Sequence, residues 1–229
     1  MTNKNDSTNG FQNRKVYNLI ILDESGSMEE IKSATITGFN EVVQTIQGVE
    51  KQFPEQEHFV SLVTFNGLGI KTKLFNKKVS SLKEIDQKTF QPEASTPLFD
   101  AIGFSVSKLR KEIKSQKDSN VLVTILTDGE ENASEEYTGA AVKSLIDEMK
   151  CTGWTFTYIG ANHDVERVAF SLSITNILKF EANEADVKRA FDVDKKARAM
   201  YSMKLRRNED VQADYFEDAE KEPDFDGKS

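Results

Sequence analysis

The chain has 229 residues, 38% of them hydrophobic, and a net charge of −8, of which residues 208–229 carry −7 through nine acidic side chains and two lysines. This length suits one domain with flanking segments, and the near-neutral remainder offers no broad basic surface for nucleic acid. The single cysteine, Cys151, excludes an internal disulfide, and no stretch approaches the length of a membrane span.

The polar residues 1–14 are expected to be a disordered lead, because they are rich in Asn, Ser and Thr and lack the apolar run of a signal peptide. With the single cysteine, this pattern favours a cytoplasmic protein. The following elements are then predicted in chain order: a buried strand with the apolar run 19–22 and ending at Asp23, an amphipathic helix over 28–53, a strand over 59–65, a hairpin turn at Asn66-Gly67, and an alternating edge strand over 70–75.

The second half of the chain alternates helices and strands. Thr96-Pro97 predicts a helix start, because proline suits the first helical position and disfavours helix in the residue before it. The predicted elements are a helix over 97–115, a central strand over 121–126, a helix over 139–151, a strand over 154–159, a short helix over 164–171, a strand over 177–180 and a helix over 184–207.

This order predicts an α/β fold with a doubly wound, mostly parallel sheet, one antiparallel edge strand and helices on both faces. We divide the chain into a lead (1–14), a globular domain (15–182), a carboxyl-terminal helix that docks on the domain or extends from it (183–207) and an acidic disordered tail (208–229).

Oxygen-bearing side chains follow two of the predicted strands and precede one predicted helix. Asp23, Ser25 and Ser27 alternate after the first strand, Thr96 precedes the 97–115 helix, and Asp128 follows the 121–126 strand. In open α/β sheets the ligand crevice lies outside the carboxyl ends of the strands. Carboxylates and hydroxyls are ligands for hard cations such as Mg²⁺.

The sequence Asp23-Glu24-Ser25-Gly26-Ser27 resembles the D-x-S-x-S motif of the von Willebrand factor A (vWA) family, whose metal-ion-dependent adhesion site is completed by a later Thr and Asp. Thr96 and Asp128 stand in family order, and the resemblance covers residues 15–180. It implies a vWA fold of Rossmann-like type and an intracellular prokaryotic or phage-like member. It also implies Ser25, Ser27 and Thr96 as ligands of Mg²⁺ or Mn²⁺, with Ca²⁺ less favoured, while Asp23 and Asp128 act largely through water.

The resemblance implies a function as well. It indicates a non-enzymatic adaptor that captures a Glu or Asp of a partner protein through the bound cation, with an AAA+ ATPase or another assembly as the expected kind of partner. Neither nucleic acid nor a membrane is an expected partner. The alternative is Mg²⁺-dependent phosphoryl transfer using Asp23 and Asp128, but a second aspartate is missing where Ser25 stands, and no general base is evident.

Each site residue also has a purely structural interpretation. Ser27 with Glu30 fits a capping box, Thr96 fits a helix N-cap, and Asp128-Gly129 fits an ordinary turn. Beside them, Glu24 and Asp100 either tune the charge of the site or are simply solvated.

Four further features have weaker interpretations. The loop over 130–136 is expected to face solvent or flank the metal, and Asp164 is expected to be an N-cap. Cys151 is expected to be buried at a helix end, and His58 and His163 lack ligand spacing. The acidic tail is interpreted as solubilising, or alternatively as an internal carboxylate donor that closes the metal site.

Overall fold

The computed structural model describes residues 14–116, 119–161, 164–181, 183–217 and 219. Within them the chain forms six strands, five α-helices and two short 3₁₀ turns. In order these are β1 (Arg14–Asp23), a 3₁₀ turn (Gly26–Glu29), α1 (Lys32–Gln52), β2 (Gln56–Asn66), β3 (Gly69–Lys78), a 3₁₀ turn (Val79–Ser81), α2 (Leu98–Ile113), β4 (Ser119–Thr127), α3 (Gly139–Lys150), β5 (Trp154–Ala161), α4 (Val165–Ser171), β6 (Asn176–Phe180) and α5 (Glu184–Arg207).

The strands form one sheet in the order β3-β2-β1-β4-β5-β6. All neighbours pair in parallel except β2 and β3, which form the antiparallel edge. β1 lies at the centre and is buried from residue 16 to residue 23, as expected for a strand covered on both faces. The predicted doubly wound α/β fold is therefore confirmed.

Each face of the sheet has its own hydrophobic core. Alternate residues of β1 point to opposite faces, so Leu22 packs with residues of α1 and α5, whereas Ile21 packs with residues of α2, α3 and α4. The apolar runs predicted as strands owe their continuous hydrophobicity to this two-sided burial. Among the described residues, no helix is both long enough and apolar enough to cross a membrane.

The carboxyl-terminal helix α5 docks on the domain, which resolves the choice between docking and extension. Phe191 packs against Gly38 of α1 so closely that a Cβ on this glycine would lie 1.8 Å from the Phe191 ring. Beneath α5, the Arg198 guanidinium pairs with the Asp194 carboxylate at 2.7 Å and donates to the Thr124 hydroxyl at 2.8 Å. Helix α5 is thus part of the core that covers one face of the sheet.

The segment after α5 corrects the expectation of a disordered tail over 208–229, since Val211, Tyr215, Phe216 and Ala219 are buried in the same core. Asn176, the first residue of β6, accepts the Tyr215 N–H at 3.1 Å. The aromatic residues of this acidic segment bury enough apolar surface to hold it on the domain. Residues 218 and 220–229, like the lead over 1–13, lie outside the described residues.

Two connections differ from the sequence prediction. The helix expected over 28–53 is divided, because a 3₁₀ turn over Gly26–Glu29 precedes α1. The sequence suggests at most a short helical turn over 81–85 after the edge strand, whereas the structure has this turn at Val79–Ser81. The first difference matters for the site, since the 3₁₀ turn presents Ser27 on the exposed edge of the sheet.

Candidate metal centre

The site residues meet where β1 and β4 end side by side. Leu22 pairs with Leu126 in the parallel register, so the residues after them emerge at the same edge of the sheet. Thr96 reaches this edge from the segment before α2. The sheet order thereby brings together residues that are up to about a hundred positions apart in sequence.

Asp23 is fully buried at this edge, and both of its carboxylate oxygens accept hydrogen bonds. The Ser25 backbone N–H donates to Oδ1 at 2.6 Å, and the Thr127 hydroxyl donates to Oδ2 at 2.5 Å. Burial raises the pKa of Asp23 to about 6; the bonds from Thr127 and Ser25 oppose this rise, while the charge of Asp128 adds to it. Asp23 thus organises the loop after β1.

The two serines and Asp128 form a chain of oxygen atoms. The Ser27 hydroxyl donates to Asp128 Oδ1 at 2.6 Å, and its oxygen lies 3.3 Å from the Ser25 hydroxyl oxygen. Ser25 is the N-cap residue of the 3₁₀ turn, with no side-chain capping bond, and Ser27 lies inside that turn. The capping-box interpretation of Ser27 with Glu30 is therefore wrong, because the Ser27 hydroxyl faces the carboxylate instead.

Thr96 completes the cluster from the third loop. A Cβ placed on Gly129 would lie 2.9 Å from the Thr96 hydroxyl oxygen and 3.3 Å from that of Ser27. Helix α2 starts at Leu98 with Pro97 at its N-cap and without a side-chain capping bond, so the N-cap interpretation of Thr96 is wrong. Gly129 is required here because any side chain would occupy the space between the two hydroxyls.

The loop after β4 holds Thr96 in place, a feature that sequence reasoning missed. Asn132 accepts the Thr96 N–H at 2.8 Å through its side chain and donates its own N–H to the Thr96 carbonyl at 3.2 Å. Glu131 accepts the Phe99 N–H at 2.8 Å. Part of the 130–136 loop therefore supports the site through hydrogen bonds and does not simply face solvent. The polar residues after β4 gave no spacing from which these bonds could be predicted.

The two acidic residues expected near the site have different surroundings. The Asp100 carboxylate accepts the backbone N–H groups of Glu135, Glu136 and Tyr137 at 2.6–2.9 Å, which fixes the end of the loop. Glu24 is buried, and its carboxylate lies 3.8 Å from the ammonium of Lys73. Neither of them is simply solvated.

The donor set suits a hard cation. It combines the hydroxyls of Ser25, Ser27 and Thr96 with the carboxylates of Asp23 and Asp128, all oxygen. No group of three or more His, Cys, Asp or Glu side chains suited to a metal occurs among the described residues. The five donors include neither imidazole nor thiolate, the usual zinc ligands, and the neutral hydroxyls outnumber the carboxylates. The residues present therefore fit Mg²⁺ or Mn²⁺.

The remaining candidates lie away from this cluster. Asp164 caps α4 by accepting the Arg167 N–H at 3.3 Å, so its N-cap prediction is confirmed. His58 is buried, and its Nδ1 lies 3.4 Å from the Asn18 side-chain amide. Cys151, the C-cap residue of α3, is exposed, so the expectation that it is buried is wrong. Residues 162–163, which include His163, lie outside the described part of the chain.

The structure also bears on the idea that the acidic tail closes the metal site. The Val211 carbonyl accepts from the Thr155 hydroxyl near the start of β5, and the Gln212 carbonyl accepts from Asn176 at the start of β6. In a parallel sheet these strand starts lie at the edge opposite the ends of β1 and β4. The described part of the tail is therefore held away from the site.

Comparisons with known proteins agree with this architecture. The chain is similar in fold to the SpaC pilus adhesin of Lactobacillus rhamnosus GG, with a TM-score of 0.58, 14% identity, and coverage of 84% of this chain and 30% of that one. It is also similar to proximal thread matrix protein 1 of the mussel byssus, with a TM-score of 0.52, 10% identity, and coverage of 81% and 46%. The matched region thus spans less than half of either solved chain.

A search of curated proteins gave no match. The model of the von Willebrand factor type A domain, however, matches residues 19–197, which is most of the chain. The match runs beyond residue 182 into α5, in agreement with the docking of this helix on the sheet. The chain therefore belongs to the von Willebrand factor type A domain family, whose members are generally protein-interaction modules.

Proposed function

We propose that this protein is a metal-dependent protein-binding module, in which Asp23, Ser25, Ser27, Thr96 and Asp128 hold Mg²⁺ or Mn²⁺ and a Glu or Asp of a partner completes the coordination. The observation that carries the proposal is the convergence of three loops on one cluster of oxygens. Within that cluster, the Ser27 hydroxyl bonds Asp128 at 2.6 Å and lies 3.3 Å from the Ser25 hydroxyl. Thr96 borders the same space.

Electrostatics supports capture of an acidic group. Asp23 is buried and already accepts two hydrogen bonds, so it orients the loop and leaves the hydroxyls to face a cation. When bound, the cation supplies positive charge that neutral hydroxyl ligands do not cancel. Ser27 is exposed, which keeps one side of the cluster open to a carboxylate from another protein.

The same geometry disfavours the phosphoryl-transfer alternative. A nucleophilic aspartate needs an accessible oxygen, yet Asp23 has no exposed surface and both of its oxygens accept short hydrogen bonds. Ser25 stands two residues later, where such enzymes carry a second aspartate. We therefore favour binding over catalysis.

The first test measures the cation itself. Calorimetry with Mg²⁺ and electron paramagnetic resonance with Mn²⁺ should show one site in the wild-type chain, and Ser27→Ala and Thr96→Val should weaken binding at least tenfold. Ser171→Ala and Thr45→Val are matched controls, because their hydroxyls bond carbonyls within their own helices. Equal affinity in the site and control variants would refute the proposal.

The second test measures the partner. Proteins captured from lysate in Mg²⁺ and in EDTA are compared for the wild type and for Asp128→Ala. A partner held only in Mg²⁺, and lost with Asp128→Ala, supports carboxylate capture, and its identity decides whether an AAA+ ATPase is involved. Capture that is undiminished by EDTA and by Asp128→Ala would contradict the metal bridge.

A further inference from the structure

A groove of about 580 Å³ lies beside the metal cluster, between the β3 edge of the sheet and the segment over 81–91. Leu22 and Leu62 of the central strands and Leu74 of β3 contribute to the floor, and Leu82 and Phe90 contribute to the opposite wall. The groove therefore has apolar side chains in its lining and room for a bulky side chain, although Leu22, Leu62, Leu82 and Phe90 are each at most 4% exposed.

One residue that lines this groove has a side-chain hydroxyl without a hydrogen-bond partner among the described residues. Thr64 lines the groove and is 2% exposed, yet among the described residues its hydroxyl has no hydrogen-bond partner. Buried polar groups in native proteins nearly always have partners, so an orphan hydroxyl on a groove-lining residue points to a partner from outside the described fold. The hydroxyl oxygen is itself buried, so a peptide carbonyl or carboxylate would accept from it after a small side-chain movement opens the groove at this point.

The rim of the groove is positively charged, although the chain as a whole carries −8. Four lysines line it against two glutamates. Glu24 is engaged by one of these lysines at 3.8 Å, and Glu84 accepts from the Gln44 amide at 2.9 Å. In the described part of the chain, the other three lysines form no ion pair within 4.0 Å. The four are Lys71, Lys73, Lys83 and Lys88.

We propose that this groove binds an acidic segment of the partner protein that carries one bulky apolar side chain. The apolar side chain enters the groove and packs against the half-buried Leu74, the segment accepts from the Thr64 hydroxyl, and its acidic groups face the lysine rim. The inference rests on the proposed function, because Glu24 lines the groove and stands between the metal-site residues Asp23 and Ser25. One continuous segment can thus reach both the cation and the groove.

The test uses a synthetic pentapeptide, Gly-Asp-Phe-Asp-Gly with blocked ends, added to the ¹⁵N-labelled full chain in Mg²⁺ and in EDTA. We expect amide shifts at Leu62, Leu74 and Lys73 in both buffers, because the groove does not need the cation. A control peptide with Ser in place of Phe should bind about tenfold more weakly, since it buries no apolar side chain.

Two changes in the protein separate a binding role from a structural one. Thr64→Val keeps the shape of the side chain and removes the orphan hydroxyl. It should lower the affinity for the peptide about fivefold without lowering the unfolding temperature. Lys83→Glu should weaken the peptide several-fold, whereas Lys51→Glu, exposed at the end of α1 and outside the groove, should not. Wild-type affinity in both Thr64→Val and Lys83→Glu would overturn the proposal.

The outcomes distinguish this proposal from the metal-site proposal. If the chain binds Mg²⁺ but the peptide causes no amide shifts in the groove, the groove proposal is wrong and the metal-site proposal stands. If the peptide causes groove shifts in EDTA and the chain binds no Mg²⁺, the groove proposal stands and the metal-site proposal is wrong.

A third outcome concerns the Asp-Phe-Asp sequence of this chain at 224–226. If Phe225→Ser in the full chain raises peptide affinity, the groove belongs to the chain's own segment, and the assignment to a partner is overturned.

Discussion

The replacement Thr127→Val tests how the site controls the charge of its buried aspartate. The valine keeps the size of the side chain but removes the 2.5 Å hydrogen bond to Asp23 Oδ2. A hydrogen bond to a charged group contributes about 1.5–3 kcal/mol, which corresponds to about 1–2 pKa units. We therefore expect the pKa of Asp23 to rise from about 6 to about 7–8 in the metal-free variant.

The consequence for metal binding depends on pH. At pH 7 the Asp23 carboxylate is about nine-tenths ionised in the wild type, but only about one-tenth to one-half ionised in the variant. Because the cation requires the ionised form, Mg²⁺ affinity should fall about two- to tenfold at pH 7 and recover by about pH 9.

The assay combines calorimetry with Mg²⁺ over this pH range and ¹³C NMR of the metal-free Asp23 carboxyl carbon. Thr157→Val is the matched control, because this buried threonine donates to the Val123 carbonyl and not to a carboxylate. An unchanged pKa of Asp23 in Thr127→Val, or a loss of Mg²⁺ affinity that persists undiminished at pH 9, would contradict this role of the Thr127 hydroxyl.

Three further predictions concern the site, the core and the docked segment. Gly129→Ala should weaken Mg²⁺ binding at least tenfold in calorimetry, because the new Cβ would lie 2.9 Å from the Thr96 hydroxyl; a wild-type constant would contradict this. Burial lowers the pKa of His58 to about 4, so the wild type should lose about 3 kcal/mol of unfolding free energy relative to His58→Gln as pH falls from about 6.5 to about 4. If urea denaturation gives the same difference in unfolding free energy between the wild type and His58→Gln at every pH in this range, the prediction is wrong. Tyr215→Ala should cost about 3–5 kcal/mol by urea denaturation and the exposed Phe170→Ala less than about 0.5 kcal/mol; equal costs would mean that the segment after α5 does not stabilise the core.

The sequence alone determined the fold class and assembled the candidate site. Uninterrupted apolar strands alternating with amphipathic helices require a parallel sheet covered on both faces, because only two-sided burial accounts for runs such as the one before Asp23. The resemblance of the D-x-S-x-S motif, Thr96 and Asp128 to the vWA family implied that these five residues meet at one edge. The structure brings those side chains together, and the cation remains a prediction that the binding experiments test.

The tertiary structure decided which local interpretation of each residue applies. Ser27 and Thr96 both had valid capping alternatives, and only the approach of the loop after β4 turned their hydroxyls toward a shared space. Thr127 and Asn132 were invisible as site residues, because their roles depend on partners 104 and 36 residues away. The burial of Tyr215 within an acidic segment was likewise missed, since composition reports average polarity and not whether a complementary surface exists on the folded domain.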